Sequence, residues 1–263
     1  METSEYKIMF EAEERHWWYV SLHSLILHFI AEERKSKDHL KILDAGCGTG
    51  RLCQLMAPFG AVHGCDVSDD AVSFCKKRYL PSIFKADLNT VLLGENRYDV
   101  ITSIDVLYHR GIENEERVLK KFFDALLPGG MLILQVPAYE FLRSSHDAAV
   151  HTRKRYTTLS LVKLLRSSGF AVQKITYRVT VLFFPIAVYR ILQKTLTRSR
   201  ARGKARSDVS IPVQVVNKLL LLLSLLENLL LRRAAFPFGT SVFAVARKRP
   251  VSPLSKRNGE ESS

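Results

Sequence analysis

The chain has 263 residues, 47% of them hydrophobic and 25% charged, with a formal net charge of +13. That composition fills a real core and excludes a disordered or low-complexity chain, so one large domain with additions is the default at this length. Between Ala148 and Leu226 fifteen Lys and Arg stand against one acid, Asp208, which places the basic character in the C-terminal half.

The chain opens with Glu2, Glu5, Glu11, Glu13 and Glu14, the opposite of a basic signal-peptide start, and a cytoplasmic protein is expected. Over 12–34, Trp18, Leu22, Leu25 and Phe29 recur at spacings of four, three and four. This predicts one amphipathic helix, packed as a lid or brace. There follow a strand over 39–45, a helix from Gly50, a strand over 61–66, a helix over 69–77 and a short strand near 83–85. The four cysteines, Cys47, Cys53, Cys65 and Cys75, lie here at spacings of 6, 12 and 10 residues, which match no CxxC-type zinc pattern. Buried free thiols and no metal are expected.

A strand over 98–104, a helix over 113–126 stopped by Pro128, Gly129 and Gly130, and a strand over 131–136 ended by Pro137 continue the series. Repeated βα units of this length predict a parallel sheet covered by helices on both faces. A loop over 144–156, rich in His, Arg and Lys, leads to a helix over 158–167 and a strand near 170–177. The last strand covers 240–246.

Between those last two strands lies an insertion with an apolar run over 181–192, a basic linker over 198–206 and a leucine-rich segment over 212–231. On a helical wheel Asn217, Ser224 and Asn228 fall within about 40° of each other, with leucines around most of the remainder. Lys218 and Glu227 leave eight uncharged residues between them, far fewer than the roughly 20 of a membrane span. The insertion suits an interfacial hairpin on anionic lipid, a hydrophobic cap over a lipophilic ligand, or a helical subdomain packed on the sheet or on a second subunit. The tail after Pro250 is polar and is expected to be disordered. The resulting domain plan is a helical lid over 1–36, a core over 37–178 with 236–248, a helical insertion over 179–235 and a tail over 249–263.

The first strand ends in Leu43, Asp44, Ala45, Gly46, Cys47, Gly48, Thr49 and Gly50. Glycines here permit a tight turn and bring a ligand close to backbone amides at a helix N-terminus. The spacing is GxGxG, not the GxGxxG of a dinucleotide site, and Asp44 would repel a pyrophosphate but suits an ammonium. Asp66 ends the second strand, where a doubly wound sheet offers a carboxylate to ribose hydroxyls. Asp87, after the third strand, can accept from an adenine amino group.

Through LDAGCGTG at 43–50, GCDVSDDAV at 64–72, KADL at 85–88, YDVITSIDVLYH at 98–109 and LLPGGMLILQVPAY at 126–139, the chain resembles class I S-adenosylmethionine-dependent methyltransferases. The resemblance covers roughly 15–178 and resumes at 236–248. It implies a Rossmann-like, mostly parallel seven-stranded sheet with an antiparallel last strand, and S-adenosylmethionine as cofactor. The turn Gly46, Cys47, Gly48 and Gly50 would surround the methionine moiety, Asp66 would bind the ribose, and Asp87 with Leu88 would lie near adenine. Asp44, Val67 and Ile104 complete the expected pocket.

A sulfonium methyl is already activated, so a base is optional. If the acceptor is a hydroxyl or phenol, His109, just beyond the fourth strand, is the first candidate base, with His151 the second. His146, Asp147 and the run Arg153, Lys154, Arg155 and Tyr156 either contact the acceptor or cap and solvate a loop. Related quinone-biosynthesis enzymes often carry Glu-His where this chain has Tyr108 and His109, a departure that counts against a carboxylate-assisted metal site. The leading expectation is O- or C-methylation of a small or lipophilic acceptor, with peripheral membrane contact through 179–231. The alternatives are a nucleic-acid methyltransferase, a non-catalytic cofactor-binding scaffold and an NAD-dependent oxidoreductase. Against nucleic acid, Ser103, Ile104, Asp105 and Val106 replace the Asn/Asp-Pro-Pro-Tyr/Phe motif.

Overall fold

A computed structural model describes residues 3–196 and 211–249. The expectations for the basic linker over 198–206 and for the tail after Pro250 lie outside the described residues.

Seven strands form one sheet: β1 (Leu40–Ala45), β2 (Gly60–Asp66), β3 (Ile83–Lys85), β4 (Tyr98–Ile104), β5 (Leu126–Pro137), β6 (Phe170–Arg178) and β7 (Ser241–Lys248). Their order is β3-β2-β1-β4-β5-β7-β6. The strands from β3 to β5 pair in parallel, whereas β7 runs antiparallel between β5 and β6. This is the parallel sheet that the repeated βα units predict, with the antiparallel last strand that the resemblance implies.

Alternation along the strands sends successive side chains to opposite faces. Leu43, Ile101, Leu132 and Leu134 pack against α5 (Glu115–Ala125) and α7 (Thr158–Ser167) through Val118, Phe122, Leu161 and Leu165. On the other face Ile42, Val100, Ile133 and Phe243 meet Leu22, Leu25, Ile26 and Ile30, with Leu52 and Met56 of α3 (Arg51–Met56). Helix α4 (Asp69–Lys77) follows the expected pattern: Ser68 caps it, acids fill its first turn and lysines its last, complementing the helix dipole.

Two local boundaries differ from the sequence reading. The helix expected over 12–34 begins only at Trp17, as α2 (Trp17–Arg34), and a separate helix α1 (Thr3–Ala12) precedes it. His16 takes extended backbone between them, and its Nδ1 accepts from the Trp18 amide at 3.2 Å, starting a new helix. Strand β5 begins five residues early, because Leu126 pairs with Tyr98 before a register shift that accommodates Pro128 to Gly130.

In the insertion, α8 (Phe183–Leu196) tolerates Pro185 because it lies in the first turn, whose amides have no intrahelical partner. Helix α9 (Gln214–Leu231) lies on α2 with its polar stripe inward. Asn217 Oδ1 accepts from the Trp17 amide at 3.0 Å, and its Nδ2 donates to the Arg15 carbonyl at 2.8 Å. Asn228 Nδ2 donates to the Ser21 carbonyl at 2.7 Å. Buried Glu227 accepts the backbone amides of Val179 at 2.6 Å and Thr180 at 2.9 Å. The leucines of the opposite face are left outward. After α9, the chain returns to β7 through Gly239, where a Cβ would lie 2.3 Å from the Arg178 carbonyl oxygen, so only glycine allows that approach.

Candidate functional site

The C-terminal ends of β1, β2 and β4 meet where the strand order reverses between β1 and β4, the place at which open α/β sheets bind ligands. Here a cavity of about 690 Å³ runs beneath α1 and α2 and on to α8. Its lining includes Asp44, Gly46, Cys47, Gly48, Asp66, Val67, Asp87, Leu88 and Ile104. Of the residues expected around a cofactor, Gly50 stands one step back, as the left-handed N-cap of α3 with φ 84°.

The turn after β1 is built on backbone that disfavours side chains: φ is 86° at Gly46, 53° at Gly48 and 84° at Gly50. A Cβ on Gly46 would lie 2.3 Å from Val106 Cγ2. The amides of Gly46 and Cys47 both donate to the Cys65 carbonyl, at 2.8 and 2.9 Å, which ties the turn to β2. The cysteines are buried and free, and Cys47, Cys53 and Cys75 pack together beneath the turn.

The strand-end carboxylates are held differently. Asp44 is 2% exposed and accepts from Thr102 Oγ1 at 2.7 Å and from the Cys53 thiol at 3.5 Å. Burial pushes its carboxyl up to about 6, against the pull of those donors. Asp66 accepts from the Ser68 and Gly48 amides, each at 3.0 Å, and burial again raises it above the usual carboxylate range. Each of its oxygens keeps capacity for a second donor. Asp87 is more open and accepts from the amide and Nδ2 of Asn89, both at 2.8 Å.

The roof is clamped onto the glycine-rich turn. Glu13, just past α1, accepts from Thr49 Oγ1 and from Arg78 Nη2 at 2.6 Å, while Arg78 Nε donates to the Thr49 carbonyl at 3.1 Å. Tyr6 and Met9 of α1, Trp17 and Trp18 of α2, and His16 between them line the cavity.

Past the turn, the cavity is bounded by Tyr19, His23, Asp105, Tyr108 and His109. Asp105 immediately follows β4 in left-handed backbone, φ 54°, and its Oδ2 accepts from Gln135 Nε2 at 2.8 Å. Protein surrounds this carboxyl except where it opens on the cavity, and that burial pushes it up to about 6. Burial lowers His23 to about 3, so its imidazole is neutral at physiological pH. Behind Asp105 the fully buried Arg178 donates to Ser21 Oγ at 2.6 Å and approaches Gln135 Oε1 at 3.5 Å. The sequence reading passed over Asp105, although it stands at the productive edge of the sheet inside the quoted SIDVLYH motif.

The two histidines proposed for catalysis take different places. His109 lines the cavity, and burial lowers it to about 4. Its Nδ1 accepts from the Gly111 amide at 2.9 Å, so the neutral ring carries its proton on Nε2 and acts as a donor in this arrangement. The His151 ring lies beside it, tilted by 37° with centroids 5.6 Å apart; His151 is in left-handed backbone and is not part of the cavity lining.

The basic run at the end of the loop is spent on ion pairs within the chain. Buried Glu115 accepts from Arg153, Lys154 and the Tyr156 hydroxyl. Arg155 pairs in bidentate fashion with Asp147, at 2.9 and 3.0 Å. Burial works against the Asp147 carboxylate, but the Arg155 guanidinium prevails and holds it below the usual range. His146, Asp147 and Arg155 nonetheless border the cavity.

Sheet order, glycine cradle and strand-end carboxylates together define a Rossmann-like fold of the class that binds S-adenosylmethionine. A family model described as a methyltransferase domain matches residues 14–175, and the chain belongs to that family of S-adenosylmethionine-dependent methyltransferases. It is 32% identical over 136 residues to a ubiquinone biosynthesis O-methyltransferase of Escherichia coli, a match taking in 46% of this chain and 56% of that one. It is also 32% identical over 145 residues to phosphoethanolamine N-methyltransferase 1 of Triticum aestivum, covering 49% of this chain and 28% of that one. The chain thus spans just over half of the first relative and about a quarter of the second. Among solved structures, an S-adenosylmethionine-dependent methyltransferase from Thermotoga maritima shares the fold, with a TM-score of 0.58 at 15% identity over 94% of this chain and 96% of that one.

Proposed function

We propose that this chain transfers the methyl group of S-adenosylmethionine to a hydroxyl or amine on a small, partly apolar acceptor. The observation that carries this reading is one continuous cavity that joins the glycine-rich turn to the half-buried Asp105 carboxyl. Its volume, about 690 Å³, suits two ligands side by side within the roughly 300–1,000 Å³ of small-molecule sites.

The cofactor would lie along Gly46, Cys47 and Gly48, with Asp66 toward its ribose, Asp87, Leu88 and Val67 toward its base, and Asp44 and Ile104 beneath its amino-acid end. The residues present fit such a group: the cradle has room only because Gly46 and Gly48 lack side chains, and buried carboxylates suit a cationic ligand. When bound, S-adenosylmethionine supplies an activated sulfonium methyl. The chain's own part is to align the acceptor and exclude water.

Asp105 is the group best placed to take a proton from that acceptor, since a carboxyl poised near 6 is a competent base at neutral pH. His109 would donate from Nε2 and orient the acceptor, and α1 with α2 would shut out solvent. A base of this kind serves an acceptor that sheds a proton as it is methylated. Among the described residues, Arg153, Lys154 and Arg155 beside the cavity already serve Glu115 and Asp147, which counts against their binding a nucleic-acid acceptor.

The test is calorimetry of S-adenosylmethionine binding to wild type and Asp66→Ala, followed by tritium transfer from labelled cofactor into lipid and small-molecule extracts. Binding abolished in the variant, with label entering an extract component, is expected. Cofactor binding without transfer into any extract would overturn the reading.

A further inference from the structure

Helix α9 is amphipathic in the inverted sense. Asn217, Asn228 and Leu231 face α2, while Val215, Leu219, Leu222, Leu226 and Leu229, spaced four, three, four and three, are about half exposed or more. Helix α8 repeats the arrangement, with Phe184, Val188, Ile191 and Leu192 outward. Among the described residues, fifteen of the 21 exposed large apolar side chains fall within 181–230. Soluble monomers rarely leave so much apolar surface in one region without a partner.

We infer that the outward faces of α8 and α9 bind an anionic lipid surface, with α9 lying in the plane of the interface. Charge selects this occupant. Among the residues of 179–235 whose side chains are described, Arg190, Lys218, Arg232 and Arg233 stand against one acid, Glu227, which is turned inward onto the Val179 and Thr180 amides. Lys218 on α9 and Arg233 just beyond it are exposed. Cations flanking an apolar face suit anionic headgroups. A second copy would bring the same excess of positive charge against itself, which disfavours self-pairing.

By length and composition α9 could cross a bilayer. Its polar side chains argue for the in-plane orientation, because spanning would strip Asn217, Glu227 and Asn228 from the partners they hold on α2 and before α8. Docking would set α8 against the lipid, and α8 contributes Ile186, Tyr189 and Arg190 to the cavity lining. The acceptor end of the cavity would then lie beside the bilayer. The surface itself is independent of the methyl-transfer reading.

The test is sedimentation of the full chain with vesicles of phosphatidylcholine alone and of phosphatidylcholine mixed with phosphatidylglycerol, at low and high salt. Association with the mixed vesicles is expected, weakened at least about tenfold by high salt. Leu222→Glu with Leu226→Glu should abolish it while calorimetric S-adenosylmethionine binding persists. Val215→Glu with Leu219→Glu should give the same result from the other end of the helix. The inference fails if the wild-type chain stays in the supernatant with both vesicle types, if it binds both equally, or if both pairs of substitutions leave binding intact. A wild-type dimer that these substitutions dissociate, with no vesicle association, would overturn it in favour of a second copy.

Discussion

Asp105 and Arg178 reach opposite ends of one amide: Gln135 Nε2 donates to Asp105 Oδ2 at 2.8 Å, and Gln135 Oε1 faces Arg178 Nη1 at 3.5 Å. Arg178 in turn holds Ser21 of α2, so a buried polar chain runs from the cavity wall to the roof helix. Burial is severe enough to lower even the Arg178 guanidinium to about 10. Such a network fixes the position of Asp105, whose left-handed backbone is uncommon for a residue with a side chain.

Asp105→Asn should therefore separate function from stability. Methyl transfer is expected to fall about 10²–10⁴-fold with cofactor affinity retained, and the rise in wild-type rate through pH 6 should vanish. The folded-state pKa is raised, so ionising Asp105 costs stability above about 6 and nothing below its unfolded value. The variant should thus be more stable than wild type at pH 8, by on the order of 2 kcal/mol, with the advantage shrinking as pH falls through 6. Denaturant melts at both pH values and tritium-transfer rates check the two halves; equal loss of stability and activity would assign Asp105 a structural role only.

His109→Ala should lower methyl transfer while S-adenosylmethionine affinity and the pH 6 inflection both remain. The reason is that burial keeps His109 neutral, near 4, and Gly111 already occupies its Nδ1. An unimpaired rate in this variant would remove His109 from the mechanism. Disappearance of the inflection would make His109, and not Asp105, the base.

Cofactor affinity should fall with acid. Burial raises the carboxyls of both Asp44, to about 6, and Asp66, so below pH 6 Asp44 must lose a proton before it can face a cationic ligand. Calorimetry should show affinity dropping by up to about tenfold per pH unit below 6. In Asp44→Asn the curve should be weaker at pH 7.5 and flatter through acid; an unchanged slope would shift the effect to Asp66 alone.

Glu227→Ala should loosen α9. The buried amide of Val179 and the partly buried amide of Thr180 would lose their acceptor, at about 1–3 kcal/mol each at most. A drop of about 2–5 kcal/mol in denaturant-measured stability is expected, with Glu227→Gln recovering part of it through one remaining carbonyl oxygen. If Glu227→Ala melts like wild type, the ties from Glu227 to the chain before α8 contribute nothing to stability.

The strand ends were legible in the sequence because their signals are local. Asp44 through Gly50 lie within seven consecutive residues, Asp66 closes a short apolar run, and Ser68 with Asp69 and Asp70 marks the next helix. The start of α2 at Trp17 was not legible, since the apolar spacing from Trp18 to Phe29 does not mark where the helix begins and the cap is a single histidine side chain accepting from the Trp18 amide.

By itself, then, the sequence determined the alternating βα order, the glycine cradle and the cofactor class, all written in contacts between near neighbours. Tertiary structure decided that Asp105 is held by Gln135, 30 residues away, that Arg178 meets Ser21 across 157, and that Asn217 meets Trp17 across 200. It also turned the leucines of α9 outward. A helical wheel shows that two faces differ but not which one is buried, and that choice fell to the hydrogen bonds α2 could offer a polar stripe.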